Sequence, residues 1–388
     1  MTPTELWLER LIAHPTISAD TNLPLIAQLE AAIEARGGIC QRFPDQTGTK
    51  TSLLARLGPE PGPDVEGGLM LSGHVDVVPV AGQDWTRPAF AMTRADGLLY
   101  GRGTTDMKGF IAAVMALVER TTPATLTKPL WLAISYDEEI GCVGVRPMIA
   151  EIAAQGIRPE LIVVGEPTSM RLCLGHKGKM AFSVTARGTP RHSAEAPLAL
   201  NALHVASDFI VALRDLQDEI AATGPREAGY SVPYATVHVG KLTAGTVVNL
   251  VPDRAEMLME CRMMAADDSR ALAARIEKAG ENALSHHLAA FPEAGLEIIQ
   301  TGSYPGLATD PEAPAVRAFA ACLPQGTPEC RVSFGTEAGL FAQALDLPVV
   351  VCGPGDMAQG HRPDEFIAES QLAACDAMLS AAVDRFCR

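Results

Sequence analysis

Residues 69–79, "LMLSGHVDVVP", begin as an apolar run of the kind that fills a sheet, then place a His and an Asp two positions apart. Side chains at i and i+2 of a strand point the same way, so His74 and Asp76 would share a face. Two readings compete. A His beside a carboxylate is a metal ligand held in one tautomer by its neighbour. Alternatively it is a satisfied His at a strand end, with Asp76 opening a turn, and for a lone pair that plainer reading is the commoner. The surrounding chain decides. "TSLLARLG" and this run read as strands, and "MKGFIAAVMALVER" (107–120) as a helix apolar nearly all round, hence buried. "PLWLAISYD" (129–137) and "ELIVVGE" (160–166) are short continuous apolar runs of the parallel-sheet type, with helical "RPMIAEIAAQG" between them. The alternation predicts an α/β domain.

At Lys179 the texture changes. "KMAFSVTARG" (179–188), "YATVHVGKLTAG" (234–245) and "AEMLMECRM" (255–263) read as strands, the first two with clear alternation of apolar and polar residues. Helical segments at about 198–220 and 268–287 accompany them, which fits a half-exposed antiparallel sheet with helices on one side. After about 289 the α/β pattern returns, with a helix near 313–322, the strand "LPVVVCG" (347–353) and a closing helix near 369–387. The expected architecture is a discontinuous α/β catalytic domain (1–178 and 290–388) with an α+β domain inserted at 179–289.

The chain has 388 residues, enough for two domains, and is 47% hydrophobic and 20% charged, as globular proteins are. A formal net charge of -15 argues against a nucleic-acid partner, which needs clustered Lys and Arg. The nine cysteines include no C-x-x-C and lie in apolar contexts, so all are expected to be reduced. Glu5 and Glu9 within the first helical pattern argue against a secretory signal. No uncharged stretch approaches the ~18 residues of a membrane span. A cytoplasmic location is the expectation.

The ends of the larger domain's strands carry the chemistry. His74 and Asp76 follow one, Asp106 enters the buried helix after "LLYGRGTT", Glu138 and Glu139 follow "LWLAISYD", Glu166 follows "LIVVG", and His361 follows "LPVVVCGPGDMAQG". Ligand sites in open α/β sheets lie at the carboxyl ends of the strands. Each position has its own plain explanation: Asp106 as a helix cap, Glu138-Glu139 as a solvated pair, Glu166 and His361 as loop residues. Five such coincidences at five strand ends are harder to accept, because burial makes charge costly there. Two His and several carboxylates suit zinc, cobalt or manganese. "GRGTTDMKG" (101–109) imitates a phosphate-binding loop, but Asp106 stands where the third Gly belongs and would repel a pyrophosphate.

Together "SGHVDVVP", "YGRGTTDMKG", "DEEIG", "VVGEPT" and "GHRPDEF" resemble the motif set of the M20 family of dinuclear zinc amidohydrolases and peptidases, in order and over nearly the whole chain. "GEPTS", "HKGK", "FGTEAG" and "CGPGDMAQGHRPDEF" are similar to the members that deacetylate N-acetylornithine in arginine biosynthesis. The resemblance implies a mixed-sheet, zinc-exopeptidase-like catalytic domain and a homodimer formed through the inserted domain. It implies two divalent ions, zinc or cobalt, with His74 and Glu166 on one, Glu139 and His361 on the other and Asp106 bridging. Asp76 would orient His74, and Glu138 would be the general base. His192 matches the inserted-domain His that reaches the partner subunit's site, and Asn249 and Arg262 match substrate-binding positions. A cis Asp106–Met107 peptide is also implied. Glu337, at a helix start in "FGTEAG", is either a helix-end carboxylate or the partner of a substrate ammonium. The expected activity is deacylation of an N-acyl amino acid, N-acetylornithine first. Desuccinylase, aminoacylase, N-acetyl-diaminobutyrate deacetylase and dipeptidase activities stay open, as does a non-catalytic metal-binding protein.

Overall fold

The computed structural model describes residues 1–18, 20–62 and 67–388 and divides the chain into two compact units. The first comprises Met1–Gly175, Leu307–Arg331 and Thr336–Arg388; the second comprises His176–Gly306 and Val332–Gly335.

In the first unit the apolar runs become a mixed sheet. Its order is Ile39–Pro44, Thr51–Leu57, Leu130–Ser135, Leu69–His74, Leu161–Val164, Val349–Val351, Leu172–His176 and Leu307–Ala308, with Glu329–Val332 on Leu172–His176. The four strands from Leu130–Ser135 to Val349–Val351 run parallel, and all their residues are buried. Burial on both faces is why they lack alternation. His74 lies opposite Ser135 in the ladder, so the chain leaves both strands at one edge. That edge is where the loops bearing His74, Glu138, Glu139, Glu166 and His361 begin.

Helix Lys108–Arg120 is buried from Lys108 to Val118, as its all-round apolarity requires. Lys108 is accommodated because its Nζ donates to Leu11 O at 3.1 Å and His14 O at 2.7 Å, carbonyls at the open end of helix Pro3–Ile12. Burial still pulls this ammonium down to about 7. The Phe110 ring packs so closely on Gly165 that no Cβ would fit there. Glycine at that position lets the buried helix press against the strand end that delivers Glu166.

The second unit is a four-stranded antiparallel sheet, ordered Thr236–Ala244, Arg254–Met263, Gly178–Arg187, Gly295–Tyr304. Helices Ala202–Thr223 and Ser269–Leu288 supply Phe209, Leu213 and Ile276 to a core with Phe182, Val184 and Met257.

Three features differ from, or sharpen, the sequence reading. The boundary expected at 289 falls short, because Gly295–Tyr304 is an edge strand of the second unit's sheet. It escapes notice because it is half exposed and its register shifts between Gln300 and Gly302. The expectation that every cysteine is reduced fails at one pair. Cys173 and Cys330 sit on paired strands with Cα atoms 4.4 Å apart and form a disulfide. A sequence separation of 157 hides that neighbourhood. Cys40, Cys142, Cys261, Cys322, Cys352, Cys375 and Cys387 are free. The Asp106–Met107 peptide is cis, as the motif resemblance implied. Among the described residues no helix is long and apolar enough to cross a membrane.

Candidate metal centre

The strand-end residues converge. Asp106 stands between the two histidines: its Oδ1 is 3.2 Å from His74 Nε2 and its Oδ2 is 3.1 Å from His361 Nε2. Glu166 Oε1 lies 3.8 Å from His74 Nε2, and Glu139 Oε2 lies 3.0 Å from His361 Nε2. Among the described residues, His74, Asp106 and Glu139 offer ligand atoms within 4.8 Å of one another, and so do His74, Glu138 and Glu166. Asp106 is thus within reach of both imidazoles, with Glu166 beside His74 and Glu139 beside His361. Glu138 faces the same space.

Asp76 organises this arrangement from behind. Its Oδ1 lies 3.2 Å from His74 Nδ1, which leaves Nε2 to face the cluster. The same carboxylate accepts the peptide N–H of Glu138 at 3.1 Å and of Glu139 at 3.3 Å, and the Ser18 hydroxyl at 2.8 Å. Orienting a ligand and fixing the turn that carries the adjacent glutamates are therefore one task. Lys50 Nζ holds the turn's other end through both oxygens of Asp137, each at 2.8 Å.

The charges do not balance on protein groups alone. Burial raises the Glu166 and Glu138 carboxyls well above their usual range, and neighbouring carboxylates (Asp106 for Glu166, Glu139 for Glu138) push the same way. Glu139 is raised to about 7 by burial and Asp106, against His361. His361 is drawn up to about 10 by its hydrogen bonds to Asp106 and Glu139. Burial opposes a charge on His74, yet Asp106 and Asp76 raise it well above the ordinary imidazole value. Four buried or half-buried carboxylates crowd two imidazoles, an arrangement that costs several kcal/mol for each buried, uncompensated charge. An oxygen-rich set with two imidazoles is the donor chemistry of divalent ions of the zinc, cobalt or manganese type. The residues fit such ions, and the cluster is a divalent-metal site.

The other singled-out residues fall elsewhere. Glu337 precedes helix Ala338–Leu345, as expected, but it is 1% exposed and turned toward Ser72 and Ser135 on the strands beneath the cluster. Burial raises its carboxyl to about 7. The two hydroxyls favour its charged form, yet none of these four oxygens completes a well-aligned hydrogen bond. The helix start turns the side chain toward the sheet beneath the cluster, near His74, Asp76 and Glu138, and away from solvent. In the second unit His192 is exposed, and its Nδ1 accepts the Ala194 N–H at 3.2 Å. Asn249 lies beside it, accepting the Ser193 N–H at 3.0 Å, with a β-bridge from His192 to Leu250. Arg262, on the same unit's sheet, pairs with Glu260 at 3.0 Å and donates to the Tyr304 hydroxyl at 3.1 Å.

Sequence reasoning passed over Ser18, Cys142 and Glu365. Cys142 Sγ donates to Glu138 Oε1 at 3.3 Å. Glu365 Oε1 accepts the backbone N–H of Asp106 at 3.1 Å. Glu365 and Cys142 had a signal, since both stand inside or beside quoted motifs; Ser18 had none.

The model of Peptidase family M20/M25/M40 matches residues 70–385. The chain is 31% identical to the acetylornithine deacetylase of Proteus mirabilis (strain HI4320), over 99% of this chain and 97% of that one. It is 32% identical to the acetylornithine deacetylase of Klebsiella pneumoniae (strain 342), over 97% and 96% of the two chains. Among solved structures, an M20 family metallo-carboxypeptidase from Sulfolobus solfataricus superposes with a TM-score of 0.81 at 19% identity, covering 99% of each chain. A dinuclear metal-binding M20 peptidase from Bacillus subtilis gives a TM-score of 0.67 at 16% identity, covering 98% of this chain and 97% of that one. A metal cluster built from the strand ends and a match running almost from end to end lead to one conclusion: the chain belongs to Peptidase family M20/M25/M40 and is a hydrolytic enzyme acting on amide bonds.

Proposed function

We propose that this chain is a dinuclear metal-dependent deacylase of N-acyl amino acids, with N-acetylornithine its preferred substrate and ornithine and acetate its products. The observation that carries the reading is near-full-length identity of 31% to a curated acetylornithine deacetylase in a chain whose two-histidine, four-carboxylate cluster is complete. His74 and Glu166 would hold one ion and Glu139 and His361 the other, with Asp106 available to both. When bound, zinc or cobalt ions at such a site supply Lewis-acid polarisation of the acyl oxygen and lower the pKa of water.

The chain's own residues do the rest. Glu138 is not needed as a ligand in this assignment and takes the proton of the attacking water. It then hands that proton to the leaving amine nitrogen, so one carboxylate is base and then acid. Asp76 keeps His74 in the tautomer that exposes Nε2. By holding both peptide N–H groups of the Glu138–Glu139 turn, it also keeps base and ligand at a fixed spacing. His192 donates to the oxyanion in the partner protomer's site, with Asn249 and Arg262 receiving the substrate carboxylate. A homodimer is favoured by the apolar surface beside His192: Val248 is 99%, Leu198 67% and Val247 59% exposed, and patches of this kind mark protein interfaces.

Amine release from a panel of N-acetyl and N-succinyl amino acids tests the substrate. N-acetylornithine should give the highest kcat/KM, at least ~10-fold above N-acetylmethionine, the scale of one charge-assisted contact. Preference for N-succinyl-diaminopimelate, N-acetyl-diaminobutyrate or a dipeptide would replace the substrate while keeping the chemistry. The dimer makes its own prediction. Inactive His192→Ala chains mixed with inactive Glu138→Ala chains should regain activity, because a mixed dimer contains one site with both residues intact. Verified mixed dimers without activity would refute action across the interface.

A further inference from the structure

Behind the cluster lies a buried ion pair that the mechanism above does not use. Arg102 and Glu365 are each 1% exposed, and Arg102 Nη1 meets Glu365 Oε2 at 2.6 Å. Apart from the Trp85 ring, over which the Arg102 guanidinium lies, the pair's remaining partners reach the segments that deliver two ligands, directly or through Gln83. Glu365 Oε1 accepts the backbone N–H groups of Thr105 at 2.9 Å and Asp106 at 3.1 Å. Arg102 Nη2 donates to Gln83 Oε1 at 2.5 Å, and Gln83 Nε2 donates to the carbonyl of His361 at 3.0 Å. Arg102 Nη1 also reaches the carbonyl of Arg362 at 3.3 Å.

His361 needs such support. Its φ is 62°, the left-handed region that residues with a Cβ disfavour. Two consecutive carbonyls, those of His361 and Arg362, are held by Gln83 and Arg102, and the conformation they fix aims Nε2 at Asp106 and Glu139. The adjacent stretch is clasped too: Asp364 accepts the N–H groups of Thr86 at 3.0 Å and Arg87 at 3.1 Å. An isolated buried Arg–Glu pair is poor evidence for stability. A pair whose spare hydrogen bonds run to the backbone around two ligands, directly or through Gln83, has a different use.

We propose that Gln83, Arg102 and Glu365 form a positioning network, with Gln83 setting His361 and Glu365 setting Asp106, so that the metal affinity of the Asp106–Glu139–His361 half depends on residues that touch neither metal nor substrate. This rests on the ligand assignment proposed above. Gln83 is the informative position, because it is only partly buried and its loss leaves the Arg102–Glu365 pair intact.

Zinc binding to the metal-free chain, followed by calorimetry, tests it without recourse to turnover. Wild type should take up two ions. In Gln83→Ala one binding event should weaken by ~10–100-fold, the range for partners that orient a ligand, while the other changes by less than about threefold. The cobalt spectrum should change at one ion only. Glu365→Gln, checked for folding by circular dichroism, should weaken both events, because Asp106 is shared. Two unchanged events in Gln83→Ala would overturn the network and leave the ligand assignment standing. A wild-type chain that binds fewer than two ions would overturn the ligand assignment, and the inference with it.

Discussion

Glu138→Gln should retain both metal ions and lose at least ~10²–10⁴ in kcat, the range attributed to a positioned acid–base group and equivalent to about 3–5 kcal/mol of barrier. The substitution is nearly isosteric, and the turn does not depend on the side chain it changes. The backbone N–H groups of Glu138 and Glu139 are both held by Asp76, so the geometry around the lost carboxylate should persist. Glu139→Gln makes the contrast. Glu139 Oε2 is 3.0 Å from His361 Nε2, so weakening it should release one ion rather than spare both. Metal analysis beside kcat separates the two. Equal loss of metal in the two variants would show that Glu138 is a ligand, since its carboxylate, like those of the proposed ligands, lies within 4.8 Å of the ligand atoms of His74 and Glu166.

Asp106→Asn should be the more damaging change for metal binding. Its two oxygens stand 3.2 Å and 3.1 Å from the two imidazoles that the proposed assignment gives to different ions. No other side chain of the cluster meets both imidazoles at such distances. Removing the charge should weaken both ions by at least ~10²-fold, beyond the ~10–100-fold typical of a partner that merely orients a ligand. Activity should fall with them. Single-ion loss, with the second bound as in wild type, would mean that Asp106 belongs to one half only.

The gathering of His74, Glu139, Glu166 and His361 was legible because each ends or follows an apolar run whose parallel strands bring such ends to one edge. Asp106 instead follows a strand of a separate small antiparallel sheet and joins them at the start of the buried helix. The central strands were legible for the same reason: burial on both faces leaves a continuous apolar signature. What escaped depends on contacts between distant segments. Cys173 and Cys330 become neighbours only through strand pairing. The strand Gly295–Tyr304 carries a weak pattern because it is a half-exposed edge strand with a bulge. Glu337 occupies the predicted helix start, but no local pattern tells which way a residue there turns, and it turns inward. The partners Ser18, Gln83 and Arg102 act on ligands 58, 278 and 260 positions away or on their neighbours, a distance over which spacing rules carry nothing.

The most direct test of the account is a metal titration of turnover. The chain is stripped with a chelator, confirmed metal-free by elemental analysis, and assayed for amine release from an N-acetyl amino acid as zinc is added back. Activity should be absent at the start, rise with added ion and level off at two equivalents per chain. Full activity in the verified metal-free chain would contradict the account.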